Sequence, residues 1–498
     1  MGSEKEKNST NRPKNYSKGS KVPQYIAAII VNIPGFCNGA LIGWPSVAIP
    51  ILQGDDSPLG HPMTNEGVAL VATLICLTAL ISIFFANAFI ARFGSKIIGY
   101  VTGITLSLHW IIVIATRSTA WLYVARSIAG FACACGMAMC PQYVKEISQD
   151  EIRGTLGVFF IIMFNTGYLY VNGVAAFLSY NGIAIASLIP CVLFILCFLR
   201  MPETPVYLLM KGKTLEASKS LQSMRGKNAD ISEEMALLKD SLSTSSDNAS
   251  MTLKEMLTDR GTRRGLFIVV ILSINSQLSG IYIFLTYLGS IFLESGSHLS
   301  HITASVIVAV LQLLGTIASS YLVENKGRRF LIFLSNGSMA SCLVALGIYF
   351  YLKQLEVDVS SFSWLPVTSL SVYMVGMAVG LGPLPFVILT EMCLPAATKV
   401  ASTLGCVGIL LPTAILSMSF KSLSILLGLH VCYFSFAVIC TLGIVFTYFF
   451  VPETKGRPVK EIHLELSGKK NSSGDKRYSI IYSPASINDN SQLNETTA

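Results

Sequence analysis

Eight side chains set in otherwise apolar stretches carry the chemistry this sequence offers. Asn165, Asn275, Ser276, Gln277 and Gln312 are uncharged hydrogen-bonding groups, and Tyr282, Tyr287 and Phe386 add aromatic surface. Amides that donate and accept, next to rings that cover C–H faces, suit reversible capture of a small polar solute. An amide left unpaired in apolar surroundings costs a few kcal/mol, so each of these must meet a neighbour, water or a ligand. No nucleophile and base, and no metal-ligating group, stand at a spacing that makes a catalytic constellation, so an enzyme is not expected. The twelve cysteines lie almost all in apolar runs, as Cys133, Cys135 and Cys140 do. That placement suits small buried side chains rather than a disulfide framework or a metal site. No cofactor is implied.

The elements that hold these groups follow from composition. Of 498 residues 52% are hydrophobic and only 13% charged, with a mean hydropathy of +0.59. Soluble domains average about 25% charged. Half that charge excludes disorder, a coiled coil and an ordinary soluble enzyme, and leaves a protein that crosses a lipid bilayer many times. Apolar runs fall near 25–52, 67–90, 97–116, 119–143, 154–180, 182–201, 265–293, 301–323, 329–352, 365–390, 400–420 and 425–451. They show no period-two alternation and are too long for barrel strands. In lipid the remaining solution is the helix. The fold class expected is an all-α membrane protein of twelve transmembrane helices.

The charges orient it. All but four of the 36 Lys and Arg fall on the side of the N-terminus, the exceptions being Arg117, Arg126, Lys353 and Lys421. Asp55, Asp56, Glu66, Glu294, Glu356 and Asp358 fall on the opposite side. Cationic loops mark the cytoplasm, so both termini are expected there. The net charge of +8 is then a topology signal and implies no nucleic-acid partner. The first residues are polar and basic without an apolar core, so no cleaved signal peptide is expected. The sequons at Asn8, Asn248, Asn471 and Asn494 fall on the cytoplasmic side and should stay unglycosylated.

The chain echoes itself. A long polar interval, 202–264, separates six apolar runs from six. Arg92-Phe-Gly-Ser-Lys96 follows run 2 and Glu324-Asn-Lys-Gly-Arg-Arg329 follows run 8. Glu146…Arg153 follows run 4 and Glu391…Lys399 follows run 10. Pro202-Glu-Thr-Pro205 follows run 6 and Pro452-Glu-Thr-Lys-Gly-Arg457 follows run 12. Three correspondences in one order indicate two pseudo-symmetric six-helix halves, an arrangement of secondary transporters with the solute site between the halves. The organisation expected is an N-terminal arm 1–24, a first half 25–201, a linker with short helices 202–264, a second half 265–451 and a mostly disordered tail 452–498. Arg92, Glu146, Arg153 and Glu203 of one half, and Glu324, Arg328, Arg329, Glu391, Lys399 and Glu453 of the other, could pair across the cytoplasmic face. Such a latch would hold one state and break on rocking. Gly382, Pro383 and Pro385 should break helix 10, as a gate hinge or a static kink.

These strings resemble the sugar-porter family of the major facilitator superfamily. The resemblance rests on Pro141-x-Tyr143-x-x-Glu146…Arg153-Gly154, Pro202-Glu-Thr-Pro205, Gln277-Leu-Ser-Gly280, Gly382-Pro-Leu-Pro385 and Pro452-Glu-Thr-Lys-Gly-Arg457. Within the family, Ile42-Gly-Trp-Pro-Ser46, Arg153-Gly-Thr-Leu-Gly157 and Asn165 look most like insect facilitated trehalose transporters. The resemblance implies the major facilitator fold, alternating access, a central sugar site and passive transport of trehalose or a hexose across the plasma membrane. The partners implied are the bilayer and a small sugar, with no obligate protein partner. The alternatives are a non-transporting sugar or small-solute receptor, and a carrier of another polar solute. Independently, no carboxylate lies within a run away from its cytoplasmic end, and a proton-coupled carrier needs a protonatable group there. Run 1 offers Cys37 and Asn38, and the other intramembrane candidates are His109 and His430. The chain also departs from the family. Ile161 and Ser276 stand where relatives carry Gln, Tyr282 where they carry Asn, Gln312 where they carry Asn, Phe386 where they carry Trp, and Lys399 where they carry Arg. The pocket is expected to lose polar groups and gain a ring.

Overall fold

A computed structural model describes residues 20–468 except 227–228, 248–252, 297–298, 394–396 and 458. The sequons at Asn8, Asn248, Asn471 and Asn494 lie outside the described residues. Twelve helices are long and apolar enough to cross a membrane. Spans 1–6 are Val22–Gln53, Asn65–Phe93, Ser95–Ala115, Thr119–Ile147, Glu151–Val174 and Tyr180–Phe198. Spans 7–12 are Arg260–Ser295, His301–Val323, Arg328–Gln354, Ser360–Met392, Val400–Leu427 and Leu429–Phe450. The all-α, twelve-helix expectation holds. Span 5 ends earlier than the apolar run does. The run continues through Ala-Ala-Phe-Leu at 175–178, but those residues turn, and Ser179 caps span 6 by accepting from the Gly182 N–H.

Four spans are interrupted. Span 1 breaks at Asn32 and span 5 at Val158. Span 7 breaks at Ser279–Gly280, where Gly280 sits at φ +96°, a conformation that an L side chain resists. Span 10 breaks between Val379 and Leu384, at the Gly-Pro stretch the sequence singles out. The breaks in spans 1 and 7 were not expected from hydropathy, which stays high through them.

The two halves repeat a local device. After span 6, the Glu203 carboxylate accepts from the N–H groups of Ser95 (3.1 Å) and Lys96 (3.1 Å), which begin span 3. After span 12, Glu453 accepts from Arg328 (3.0 Å) and Arg329 (3.2 Å), which begin span 9. Each Glu satisfies free N–H groups at a helix N-terminus and meets the positive end of its dipole. A glycine, Gly94 or Gly327, supplies the positive φ of the preceding turn. The two carboxyls titrate oppositely. Burial pushes Glu203 up, against the pull of its three N–H donors. Burial acts the same way on Glu453, but the N–H groups of Lys455, Arg328, Arg329 and Thr454 outweigh it and hold that carboxyl below the usual range.

Glycines let the helices approach. A Cβ at Gly39 would strike the backbone of Phe164, and one at Gly167 the backbone of Phe36, so spans 1 and 5 interlock reciprocally. Gly130, in the small-residue stretch of span 4, meets Ile75 of span 2 in the same way.

Two outcomes follow. Gly167→Ala should lower stability by roughly 1–3 kcal/mol through overpacking. Gly173→Ala, with nothing within 4 Å of its added carbon, should be neutral or better. Thermal unfolding of the two purified variants compares them. Glu453→Gln should cost roughly 0.5–1 kcal/mol. Because the folded carboxyl is depressed, that contribution is full above its ordinary value of 4.5 and shrinks as pH falls through the folded value. Melting scans of both forms from pH 7 to pH 3 read the difference.

Candidate functional site

With an even number of spans, both ends of the described chain lie on one face, the terminal face; the other is the far face. Spans 1, 2, 4 and 5 of the first half and 7, 8, 10 and 11 of the second enclose a cavity of about 260 Å³. It lies slightly below the usual size for small-molecule pockets, which run from about 300 Å³. Its walls are mainly apolar, with Ile42, Ile75, Met137, Phe160, Leu285 and Met377 among them. No Asp, Glu, Lys, Arg or His is among the lining residues.

Two polar clusters interrupt these walls. The first joins the halves. Asn165 Nδ2 of span 5 donates to Thr316 Oγ1 of span 8 at 2.8 Å. Gln312 Nε2, one helical turn before Thr316, donates back to Asn165 Oδ1 at 2.9 Å. Asn165 and Gln312 are both buried, and Gln312 Oε1 has no donor among the described residues. The second cluster is formed where span 7 breaks. Ser276 and Gln277 end its first segment, and Thr413 of span 11 donates to Gln277 Oε1 at 3.0 Å. The break comes where Gly280 takes a left-handed conformation between the two segments, and Gln277 just before it lines the cavity.

Six of the eight side chains singled out in the sequence line this cavity, Asn165, Ser276, Gln277, Tyr282, Gln312 and Phe386, and so does Ile161. Tyr282 lines it while donating its hydroxyl to the Ala72 carbonyl of span 2 at 2.7 Å. Tyr287 is not brought in. It is buried against Phe420, because the five residues from Tyr282 carry it more than a full helical turn farther toward the far face. Asn275 also turns away, donating to the Ile439 carbonyl of span 12 at 3.0 Å. Thr316 and Thr413 were missed. Thr316 sits four residues after Gln312 on one helix face and was within reach of a periodicity argument; Thr413 carried no local signal.

The halves meet at mid-depth and toward the far face. Besides the Asn165 cluster and the Tyr282 bond, Gly289 N donates to Ser46 Oγ at 3.2 Å and Tyr168 Oη to the Leu285 carbonyl at 3.3 Å. Gly289 has no side chain, and a Cβ there would strike the Ser46 backbone. Thr73 of span 2 also reaches Ser417 of span 11, at 3.1 Å. These contacts seal the cavity on the far side.

At the terminal face the ion pairs resolved between described residues stay within one half. Arg328 pairs with Glu391 at 2.7 Å, and Thr454 donates to the second oxygen of Glu391 at 2.5 Å. Glu146 accepts instead from Gln142 at 2.8 Å. Tyr143 donates to the Pro202 carbonyl at 2.5 Å, tying span 4 to the capping segment. Arg92 is exposed and Arg153 donates to the Ser148 carbonyl at 3.2 Å. Arg329 donates to the Tyr448 carbonyl at 2.6 Å. The side chains of Glu324 and Lys399 lie outside the described residues. Of the expected latch acids, Glu203 and Glu453 serve as helix caps and Glu391 pairs within its own half.

One residue differs from the charge count. Arg126, placed on the far side by that count, is completely buried inside span 4. Its guanidinium donates to the carbonyls of Val71 (2.9 Å) and Leu41 (3.0 Å) and lies over the Trp44 ring. Pro45 has no N–H to donate to Leu41 four residues earlier, which leaves that carbonyl free to receive it, and a sequence count cannot see the fit. His109 bridges spans 3 and 4 through Nδ1 and the Ala125 carbonyl at 2.9 Å.

A twelve-helix bundle with a solute-sized cavity between two halves defines a membrane transporter of the major facilitator fold. A family model described as "Sugar (and other) transporter" matches residues 26–466. The chain belongs to that family. It is 31% identical to a facilitated trehalose transporter Tret1 of Bombyx mori, over 89% of this chain and 87% of that one. A Tret1 of Polypedilum vanderplanki is 30% identical over 90% of this chain and 88% of its own length. Among solved structures, the inward-open xylose transporter XylE of E. coli superposes with a TM-score of 0.73 at 20% identity, covering 89% of this chain and 99% of its own. XylE bound to 6-bromo-6-deoxy-D-glucose gives 0.70 at 20% identity, over 89% and 99%.

Removing either partner of the cross-half amide pair should weaken the association of the halves. Intramembrane hydrogen bonds of this kind average about 0.6 kcal/mol of coupling, with a maximum near 1.7. A double-mutant cycle on Asn165→Ala and Gln312→Ala, read by thermal unfolding, should return a coupling in that range.

Proposed function

We propose that this chain is a facilitative carrier of a sugar, trehalose or a hexose, working by alternating access in the plasma membrane with both termini in the cytoplasm. The observation that carries the reading is the cavity between the halves, lined by amides and hydroxyls and by no ionisable carboxylate. A proton-driven carrier needs a group that changes charge inside the membrane; the cavity's polar groups are amides and hydroxyls instead. The likeness to facilitated trehalose transporters supports the sugar. The concentration of Lys and Arg on the terminal face supports its cytoplasmic orientation.

In this reading the far-face contacts of Ser46–Gly289 and Tyr282–Ala72 belong to a state open toward the cytoplasm. Rocking the halves about the Asn165–Gln312–Thr316 cluster separates those contacts and brings the terminal-face charges of the two halves together. Arg92, Glu146, Arg153 and Glu203 then face Glu324, Arg328, Arg329, Glu391, Lys399 and Glu453 as a reversible gate. The break at Gly382, Pro383 and Pro385 acts as the hinge that lets the second segment of span 10, with Phe386, swing over the cavity. The interval 202–264 serves as the linker and the residues after 452 as the tail.

Proteoliposomes that contain the chain should take up labelled glucose or trehalose saturably and only to equilibrium, at the same rate with and without a pH gradient. Accumulation driven by the gradient would overturn the passive reading. Absence of saturable uptake would overturn the sugar.

A further inference from the structure

The hydrogen-bond inventory of the cavity narrows what kind of sugar it takes. Most of its polar atoms already serve one another. The amide of Asn165 is used by Thr316 and Gln312, and the Thr316 hydroxyl donates to the Gln312 backbone carbonyl at 3.0 Å. The Thr413 hydroxyl is shared between the Ile409 carbonyl at 2.6 Å and Gln277 Oε1 at 3.0 Å, that of Tyr282 goes to Ala72, and that of Ser273 to the Val269 carbonyl. Three groups remain. Gln312 Oε1 is a buried acceptor with no protein donor among the described residues. Among the described residues Gln277 Nε2 and the Ser276 hydroxyl have only each other, at 3.5 Å, the outer limit of a hydrogen bond.

An unmodified hexose or disaccharide presents a hydroxyl on nearly every ring carbon. Burying a hydroxyl without a partner costs about 1–3 kcal/mol. Three such groups can satisfy one edge of one ring. The remaining wall is aliphatic, aromatic and sulfur-bearing: Ile161, Phe160, Phe386, Leu410, Met137 and Met377. Phe386 is 40% exposed and lines the cavity. Such a wall gains from contact with carbon, at roughly 25 cal/mol per Å² of apolar surface covered.

The geometry points to a sugar with an apolar aglycone, an alkyl or aryl glycoside, as the preferred solute. Hydroxyls along one edge of its ring donate to Gln312 Oε1 and accept from Gln277 Nε2, and its aglycone packs on Ile161 and Phe386. This inference rests on the sugar-carrier reading and names the substrate class of that same cavity.

The test uses the full chain in proteoliposomes freed of glycoside detergents, since an alkyl glycoside would itself occupy the cavity. Saturable uptake of labelled phenyl β-D-glucoside, glucose and trehalose is compared, with protein-free vesicles subtracting passive entry. The expected result is a kcat/KM for phenyl glucoside at least tenfold above both plain sugars. Equal or better uptake of glucose or trehalose overturns this inference and leaves the sugar-carrier reading intact. Saturable uptake of none of the three overturns both. Phenyl glucoside that blocks glucose uptake without itself entering the vesicles also overturns it. Ile161→Gln, which adds an amide to the apolar wall, should shift the glucose-to-phenyl-glucoside ratio at least tenfold toward glucose; an unchanged ratio counts against the proposal. Gln312→Leu should lower uptake of phenyl glucoside at least tenfold, and unchanged uptake overturns the assignment of that atom. Should Gln312→Leu fail to assemble, the Ile161→Gln ratio decides alone.

Discussion

In hydrocarbon every backbone N–H and C=O must find its partner inside the protein. The whole molecule is arranged around that constraint, most visibly where it is locally broken. At Asn32 the side-chain amide donates to the Ala28 carbonyl at 2.8 Å, beside the Asn32 N–H that reaches the same carbonyl at 3.1 Å. At the span 10 break, Leu381 N–H donates to Ser335 Oγ of span 9 at 3.2 Å. The carbonyls of Leu41 and Val71 are taken by buried Arg126. Irregular backbone is tolerated inside a bundle where other helices or a cavity receive its polar groups, and the breaks in spans 7 and 10 both border the cavity. The interruptions that let a solute site exist are the same ones that the surrounding side chains must stitch.

The halves are alike in backbone device and unlike in charge. Glu203 and Glu453 cap equivalent helices through equivalent turns. Yet Arg328 begins span 9 where Ser95 begins span 3. Glu391 therefore has a guanidinium and a hydroxyl for its two oxygens. Glu146, its counterpart, has only the Gln142 amide, and its charge adds to the burial that raises Glu203. The second half carries its acids compensated, and the first carries an acid cluster with weaker partners.

The cavity shows a similar economy. Asn165, Gln312 and Thr316 spend most of their hydrogen-bonding capacity holding one half to the other, which satisfies buried amides that would otherwise be costly. What is left to bind a solute is small and sits against a largely apolar wall. Affinity in such a site comes from shape and carbon contact, with orientation set by a few polar atoms.

The sequence alone determined the architecture. Composition and twelve long apolar runs leave one spanning solution, because in lipid an isolated run can satisfy its backbone only as a helix. The repeated Gly turns, Pro-Glu-Thr segments and acidic motifs revealed the two halves, since each is a short-range device readable within a few residues. Asn165, Ser276, Gln277 and Gln312 were likewise legible, because polar side chains are scarce in apolar runs, while Ile161 came from the family resemblance. The rest depended on contacts between helices far apart in the chain. Tyr287 lies five residues from Tyr282 but packs on Phe420, and Arg126 is buried among carbonyls of spans 1 and 2. Thr413 reaches Gln277 across 136 positions. The division of Asn165 and Gln312 between holding the halves and meeting a solute was also invisible in one dimension. Which hydrogen bonds are already used is a property of packed neighbours, and only tertiary structure decides it.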